Sequence, residues 1–254
     1  MGIYAMTGGA TGIGAAIKEQ LRAEGHEVVV VDIKDADIVA DLSMAEGRQA
    51  AIDGILARAP EGLDGFVPCA GLGPVVKPAS LVAKVNYFGS VVMVQGLKDA
   101  VAKKGGAIVM ISSNSAPMGA DEKTLELMLA GDEAGAIARV DELGDGQNAY
   151  GGSKLALTRW MRRNTTEYAH AGVRINAIAP GHTQTPLTEK VESDPQFGQL
   201  IKDFAATIPI GRSGRPEDIA NAVCFMLSDK ASFMAGSVIF VDGGHDAMLR
   251  PDQF

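Results

Sequence analysis

The chain has 254 residues, 46% hydrophobic and 21% charged, a composition that supports a sizeable buried core. Its formal net charge of −8 argues against nucleic acid or an anionic membrane as a main partner. Two distant cysteines in no CxxC pair disfavour a disulfide framework, and four scattered histidines offer no zinc-ligand spacing, so no metal is expected and a reduced, cytoplasmic setting is. No apolar run approaches the ~20 residues of a membrane helix. No signal peptide is read, and Met6 stands where a myristoylation signal needs Ser or Thr.

The first expected strand is "IYAM" (3–6), and "MTGGATGIGAAI" follows it into a helix over 13–24. Gly8, Gly12 and Gly14 form a G-x-x-x-G-x-G pattern, with Gly9, Thr11 and Ile13 in the same loop. Such glycines allow a tight turn and let backbone N–H groups approach a pyrophosphate at a helix N-terminus. A glycine-rich turn without a ligand has the same local pattern. "EVVVVD" (27–32) is the second strand, and Asp32 ends it 18 residues after Gly14. A carboxylate there can accept both ribose hydroxyls of NAD and repel the 2′-phosphate of NADP. Thr11 supplies no basic group for that phosphate, although Lys34 lies nearby. Ile33 is expected beside the same cofactor.

"DIVADL" (37–42) reads as the third strand, and a helix is expected over 44–58. "LDGFVPCA" (63–70) is the fourth strand, followed by a helix over 80–103. Asp41 and Leu42, and likewise Ala70 and Gly71, either border the cofactor or are ordinary turn residues. "GAIVMIS" (106–112), a helix over 148–170, "VRINAIA" (173–179), a helix over 216–228 and "SVIFVD" (237–242) complete the alternation. Several strands are continuous apolar runs, as parallel strands covered on both faces should be. The expectation is an α/β, doubly wound (Rossmann) parallel sheet in a single domain, 1–254. Two segments break the rhythm, about 117–146 and about 182–215, and long excursions of this kind often carry function.

"QNAYGGSK" (147–154) places Tyr150 one helical turn before Lys154. An ammonium near a phenol favours the phenolate, and a phenol tuned in this way can exchange a proton with an alcohol or ketone. The intervening glycines are expected to keep the helix start open beside a cofactor. The pair follows a dinucleotide-type loop and a fifth strand ending in Ser112 and Ser113, a conjunction far more specific than Y-x-x-x-K alone.

With "TGGATGIG", "CAG" (69–71), "VNYFG" containing Asn86, "ISS" (111–113), "YGGSK" (150–154), "NAIAPG" (176–181) and "VDGG" (241–244), the chain resembles the short-chain dehydrogenase/reductase family over essentially its whole length. The resemblance implies a seven-stranded sheet, NAD as cofactor and oxidoreduction of an alcohol/carbonyl pair. It implies Tyr150 as general acid/base, Lys154 as the group tuning it and holding the nicotinamide ribose, and Ser113 on the substrate oxygen. Asn86 would hold a water linking Lys154 to solvent. Pro180, Gly181, Thr183 and Thr185 fall where the family cradles the nicotinamide.

Cys69 departs from the asparagine that often stands there, which puts that loop's side-chain hydrogen bonds in doubt. Ser113 and Tyr150 are also 37 residues apart, farther than the family commonly has them. This surplus, with "DADIVADLSMAEGR", "CAGLGP" and the ending "RPDQF", resembles the bacterial 3α-hydroxysteroid dehydrogenase/carbonyl reductase branch. That branch implies steroids, bile acids and xenobiotic carbonyls as substrates, and a homodimer or homotetramer. Leu187, Val191, Phe197, Leu200, Ile201, Phe204 and Ile208 read as an apolar lid or as an ordinary core-packing helix. Aromatic or terpenoid alcohols are the rival substrates, and a non-catalytic NAD-binding sensor is the rival class.

Overall fold

The computed structural model describes residues 1–253, and Phe254, the last residue of "RPDQF", lies outside the described residues. Its centre is a fully parallel seven-stranded sheet in the order β3-β2-β1-β4-β5-β6-β7. The strands are β1 (Ile3–Thr7), β2 (Glu27–Asp32), β3 (Ile38–Val39), β4 (Gly65–Pro68), β5 (Ala107–Ile111), β6 (Arg174–Pro180) and β7 (Val238–Val241). Side chains alternate across the pleat and so build two cores. Ala5, Val29, Val31, Phe66, Ile108 and Met110 face one way. Tyr4, Met6, Val28, Val30, Val67, Val109 and Ile111 face the other.

The first core is covered by α2 (Ala45–Arg58), α4 (Ser90–Ala102) and the long α7 (Gly146–His170). The second is covered by α1 (Gly12–Ala23) and α10 (Pro216–Leu227). Covering both faces explains why the strands read as unbroken apolar runs rather than alternating ones. Among the described residues no helix is long and apolar enough to cross a membrane.

The expected 80–103 helix is divided. A short α3 (Ala79–Ala83) runs through a π-helical turn, Lys84–Gly89, before α4 begins. Such single-turn widenings often sit at functional sites, and this one contains Asn86. The third strand is far shorter than 37–42: only Ile38 and Val39 pair with β2, and the Asp37 carboxylate accepts from the Val30 N–H at 2.9 Å just ahead of them.

The 117–146 excursion forms α5 (Glu122–Leu129) and α6 (Glu133–Leu143). Asp121 and Asp132 cap them by accepting from the N–H groups of Thr124 and Gly135, both at 2.9 Å. Leu125, Met128, Ala136 and Val140 are buried against the α7 side of the core. The 182–215 excursion carries α8 (Pro186–Glu192) and α9 (Gly198–Ala206), and α11 (His245–Leu249) follows β7.

Candidate active site

The strand order reverses between β1 and β4, and a cleft of about 410 Å³ opens there, at the carboxyl ends of the strands. It is lined by Gly8, Thr11, Gly12, Ile13, Gly14, Asp32, Ile33, Asp41, Leu42, Ala70, Gly71, Ser113, Tyr150, Lys154, Pro180, Gly181, Thr183 and Thr185. Two expected site residues, Gly9 and Asn86, sit behind that wall. A Cβ on Gly9 would meet Val30 Cγ1 at 2.6 Å, so this glycine serves the packing of the loop on β2.

The loop is shaped by what its glycines exclude. Gly8 has φ +73°, and a Cβ there would lie 2.6 Å from the Ala70 backbone. A Cβ on Gly14 would fall on the Gly8 carbonyl oxygen. The first turn of α1 can therefore close onto the loop and present its N–H groups to the cleft. At the end of β2, the Asp32 carboxylate accepts from the N–H groups of Ala10 at 3.1 Å and Ile33 at 2.7 Å. These bonds aim it into the cleft with lone pairs to spare. Ile33 is 65% exposed at the rim, an apolar platform beside that acid.

The loop after β4 lacks its expected side-chain bonds, as the Cys69 departure suggested. Thr7 substitutes for them, its hydroxyl accepting from the Ala70 N–H at 3.0 Å. Burial pushes the Cys69 thiol up to about 11, so it stays protonated and is no nucleophile.

Tyr150 and Lys154 share one face of α7, with the ammonium 6.0 Å from the phenol ring centroid. Lys154 is 6% exposed and donates to the Ile111 carbonyl at 2.8 Å. Burial pulls its ammonium down to about 8. The spacing argument expected a phenol lowered by its lysine. Instead burial raises the Tyr150 phenol, and the Ser113 hydroxyl opposes that rise. Ser113 is primed to donate, because its oxygen already accepts from the N–H of Ser115 at 3.1 Å and is 2.9 Å from the Ser115 hydroxyl.

Asn86 is fully buried. Its amide accepts from the Leu72 N–H at 2.8 Å and donates to the Leu72 carbonyl at 3.0 Å and to Ser153 at 3.4 Å. The side chain is thus occupied in clamping the post-β4 loop to α7, whose Ser153 donates in turn to the Tyr150 carbonyl at 2.7 Å.

Of the two glycines between Tyr150 and Lys154, Gly151 is uncrowded, since a Cβ there would meet only the Gly119 and Ser115 carbonyls, at 3.7 Å. Gly152 admits Ala120, at the entry to the α5–α6 insertion, and Gly146 admits the Pro74 carbonyl. Gly152 and Gly146 thus fit α7 against neighbouring chain. Thr188 was not anticipated. Its hydroxyl donates to the Thr183 carbonyl at 2.6 Å and completes a capping box with Thr185 at the start of α8. The T-x-x-T spacing was the available signal. Leu187 of α8 leans on the post-β4 loop, since a Cβ on Gly73 would lie 3.1 Å from it. Of the apolar lid positions, Val191 and Ile208 are buried and Leu200 is exposed. Among the described residues no group of three or more His, Cys, Asp and Glu side chains could hold a metal ion.

A dinucleotide-type loop, an acid ending β2 and a Ser–Tyr–Lys set at one cleft define an oxidoreductase site, and similarity to known proteins agrees. The chain is 45% identical, over the full length of both proteins, to 3-alpha-hydroxysteroid dehydrogenase/carbonyl reductase of Comamonas testosteroni. It is 29% identical to cis-4-hydroxycyclohexanecarboxylate dehydrogenase of Sinomonas cyclohexanicum, over 97% of each chain. The crystal structure of the 3-alpha-hydroxysteroid dehydrogenase from Pseudomonas sp. B-0831 complexed with NADH superposes with a TM-score of 0.97 at 44% identity, covering 99% of this chain and 100% of that one. A family model described as enoyl-(acyl carrier protein) reductase matches residues 134–246. The chain belongs to the short-chain dehydrogenase/reductase family.

Proposed function

We propose that the protein is an NAD-dependent oxidoreductase interconverting secondary alcohols and ketones of apolar substrates, 3α-hydroxysteroids and bile acids foremost, with xenobiotic carbonyls beside them. The observation that carries this is the placement of Ser113, Tyr150 and Lys154 in the same cleft as the glycine loop and Asp32. The relatives that bear steroid dehydrogenase names support the substrate class.

The lining of the cleft suits a dinucleotide. Gly8 and Gly14 let the loop close so that α1 presents its N–H groups to the cleft, and the Asp32 carboxylate, held by the Ala10 N–H, stands in the same lining. Gly12, Thr11 and Ile13 would border the pyrophosphate, Leu42 and Asp41 the adenine, and Pro180, Gly181, Thr183 and Thr185 the nicotinamide end. When bound, NAD supplies the hydride-accepting chemistry.

The protein's own contribution is proton management and orientation. Ser113 donates to the substrate oxygen and fixes its position. Tyr150 Oη takes the hydroxyl proton in oxidation and returns it in reduction. Lys154 brings a positive charge, held on the Ile111 carbonyl, to the side of the phenol where a phenolate forms. Asn86 holds the loop and helix in register. Its proposed link to a water chain would have to use its backbone, since its side chain is already engaged.

A panel of steroids, bile acids, aryl alcohols and terpenoid alcohols with NAD⁺ and NADP⁺, followed by nicotinamide absorbance, tests the proposal. Turnover of 3α-hydroxysteroids with a strong NAD⁺ preference is expected. Activity confined to small aryl alcohols would replace the steroid assignment. NAD⁺ binding without any turnover would point to a sensor.

We also propose a cytoplasmic homodimer or homotetramer. The insertion covers part of α7, with Ala120 on Gly152 and Glu122 3.4 Å from Arg159. Apolar surface remains open elsewhere, at Phe233 and Phe225 near the β7 edge. A monomeric mass in sedimentation equilibrium would refute the assembly.

A further inference from the structure

The insertion does more than cover α7, because one of its acids is linked through Arg48 to the wall of the cofactor cleft. Glu133 is the first residue of α6, and both its carboxylate oxygens accept from the Arg48 guanidinium of α2 at 2.7 Å. The two residues are 85 positions apart. Arg48 is 3% exposed, so its charge is almost wholly withdrawn from water. A buried guanidinium needs a matched acid, and the paired fork geometry is the strongest form that match takes.

The remaining Arg48 donors do not serve the insertion. Nε donates to the Leu42 carbonyl at 2.7 Å, and Nη2 reaches the carbonyls of Ser43 at 3.4 Å and Lys84 at 3.5 Å. Leu42 and Ser43 line the cleft together with Asp41, whose carboxylate accepts from the Ser43 N–H at 2.9 Å. Lys84 opens the π-helical turn that carries Asn86. One guanidinium therefore ties the adenine-side wall and the turn behind the catalytic helix to the tip of α6.

We infer that Arg48 is a positioning residue for the adenine side of the dinucleotide site, and that the insertion controls dinucleotide affinity through Glu133. The inference rests on the NAD assignment above. With Glu133 in place, the guanidinium plane is fixed and the Leu42 and Ser43 carbonyls are held in one geometry. Without it, a buried cation is left with neutral carbonyls alone and draws water or moves outward. The cleft wall moves with it. Ser113, Tyr150 and Lys154, on the other side of the cleft, share no hydrogen bond with Arg48 or Glu133.

NADH binding, followed by nicotinamide fluorescence, and steady-state kinetics separate the possibilities. Glu133→Gln is expected to weaken NADH binding and competitive inhibition by AMP by the same factor, about tenfold, with kcat within about twofold of wild type. Glu133→Asp, which keeps the charge with a shorter reach, should fall between. Arg48→Lys should match Glu133→Gln, and the double variant should be little worse than either single one, because the two residues act as a unit. Glu126→Gln, on exposed α5 surface, should change nothing. A purely structural pair would lower the unfolding midpoint of Glu133→Gln and leave NADH and AMP affinities at wild-type values, and that result would overturn the inference. Should Glu133→Gln fail to fold, the Glu133→Asp affinities decide by the same criterion. Failure of the wild-type protein to bind NADH would remove the NAD assignment, and this inference with it. Wild-type binding matched by both Glu133 variants would remove this inference alone.

Discussion

Tyr150→Phe is expected to lower kcat by about 10²- to 10⁴-fold, the usual contribution of a positioned proton-transfer group. The substitution removes one oxygen and keeps the ring, which packs against the larger core. Stability should stay within about 0.5 kcal/mol of wild type, as for changes that open no cavity. NADH binding should be retained, so the loss falls on kcat rather than on cofactor affinity. The pH profile gives a second readout. Oxidation needs the phenolate and therefore rises with pH, whereas reduction needs the phenol and falls as pH rises. Burial raises the Tyr150 phenol, so the protonated, reduction-competent form prevails at neutral pH. Both limbs should disappear in the variant. Normal turnover by Tyr150→Phe would remove Tyr150 from the proton path.

The sequence carried the sheet because its signals are local. β2 was read to the residue, since a run of four valines bounded by Glu27 and Asp32 admits little else. The glycine loop is equally legible from its spacing, although only Gly14, against the Gly8 carbonyl, answers a steric demand within the strand–turn–helix unit. What escaped depends on partners distant in the chain. No periodicity reveals that the Asp37 carboxylate would take the Val30 N–H. None reveals that residues 84–89 would widen into a π-helical turn so that Asn86 could clasp Leu72. Arg48 and Glu133 look like solvated charges until the fold buries one of them. The direction of the Tyr150 shift was misread for the same reason. An i, i+4 spacing reports the neighbouring charge and is silent about burial, and here burial is the larger effect.

The same competition makes Lys154 costly, and Lys154→Met should expose that cost by raising stability while removing activity. Burial pulls the ammonium from its ordinary 10.5 down to about 8. The folded protein thus holds this proton less tightly than the unfolded chain does. Below pH 8 the lysine is charged in both states, and the full cost of burying it, about 3 kcal/mol, weighs against folding. Between about 8 and 10.5 the unfolded chain binds more protons, so stability climbs with pH, and above that range the cost is gone. Methionine carries no charge into the site and fills similar space. It forfeits the bond to the Ile111 carbonyl, worth about 1–2 kcal/mol with its acceptor left unpaired. The balance is a net gain of about 1 kcal/mol at neutral pH, or roughly 2–4 °C in Tm for a chain of this size. That gain should shrink as the pH is raised past about 8 and be largely gone by pH 10. Turnover should fall at least about 10²-fold, because Ser113 alone then favours the phenolate beside the substrate. Thermal unfolding at pH 7 and pH 10, run beside the kinetics, checks both halves. A Lys154→Met protein that is less stable at neutral pH, or one that keeps its kcat, would show that the ammonium supports the fold rather than being tolerated for catalysis.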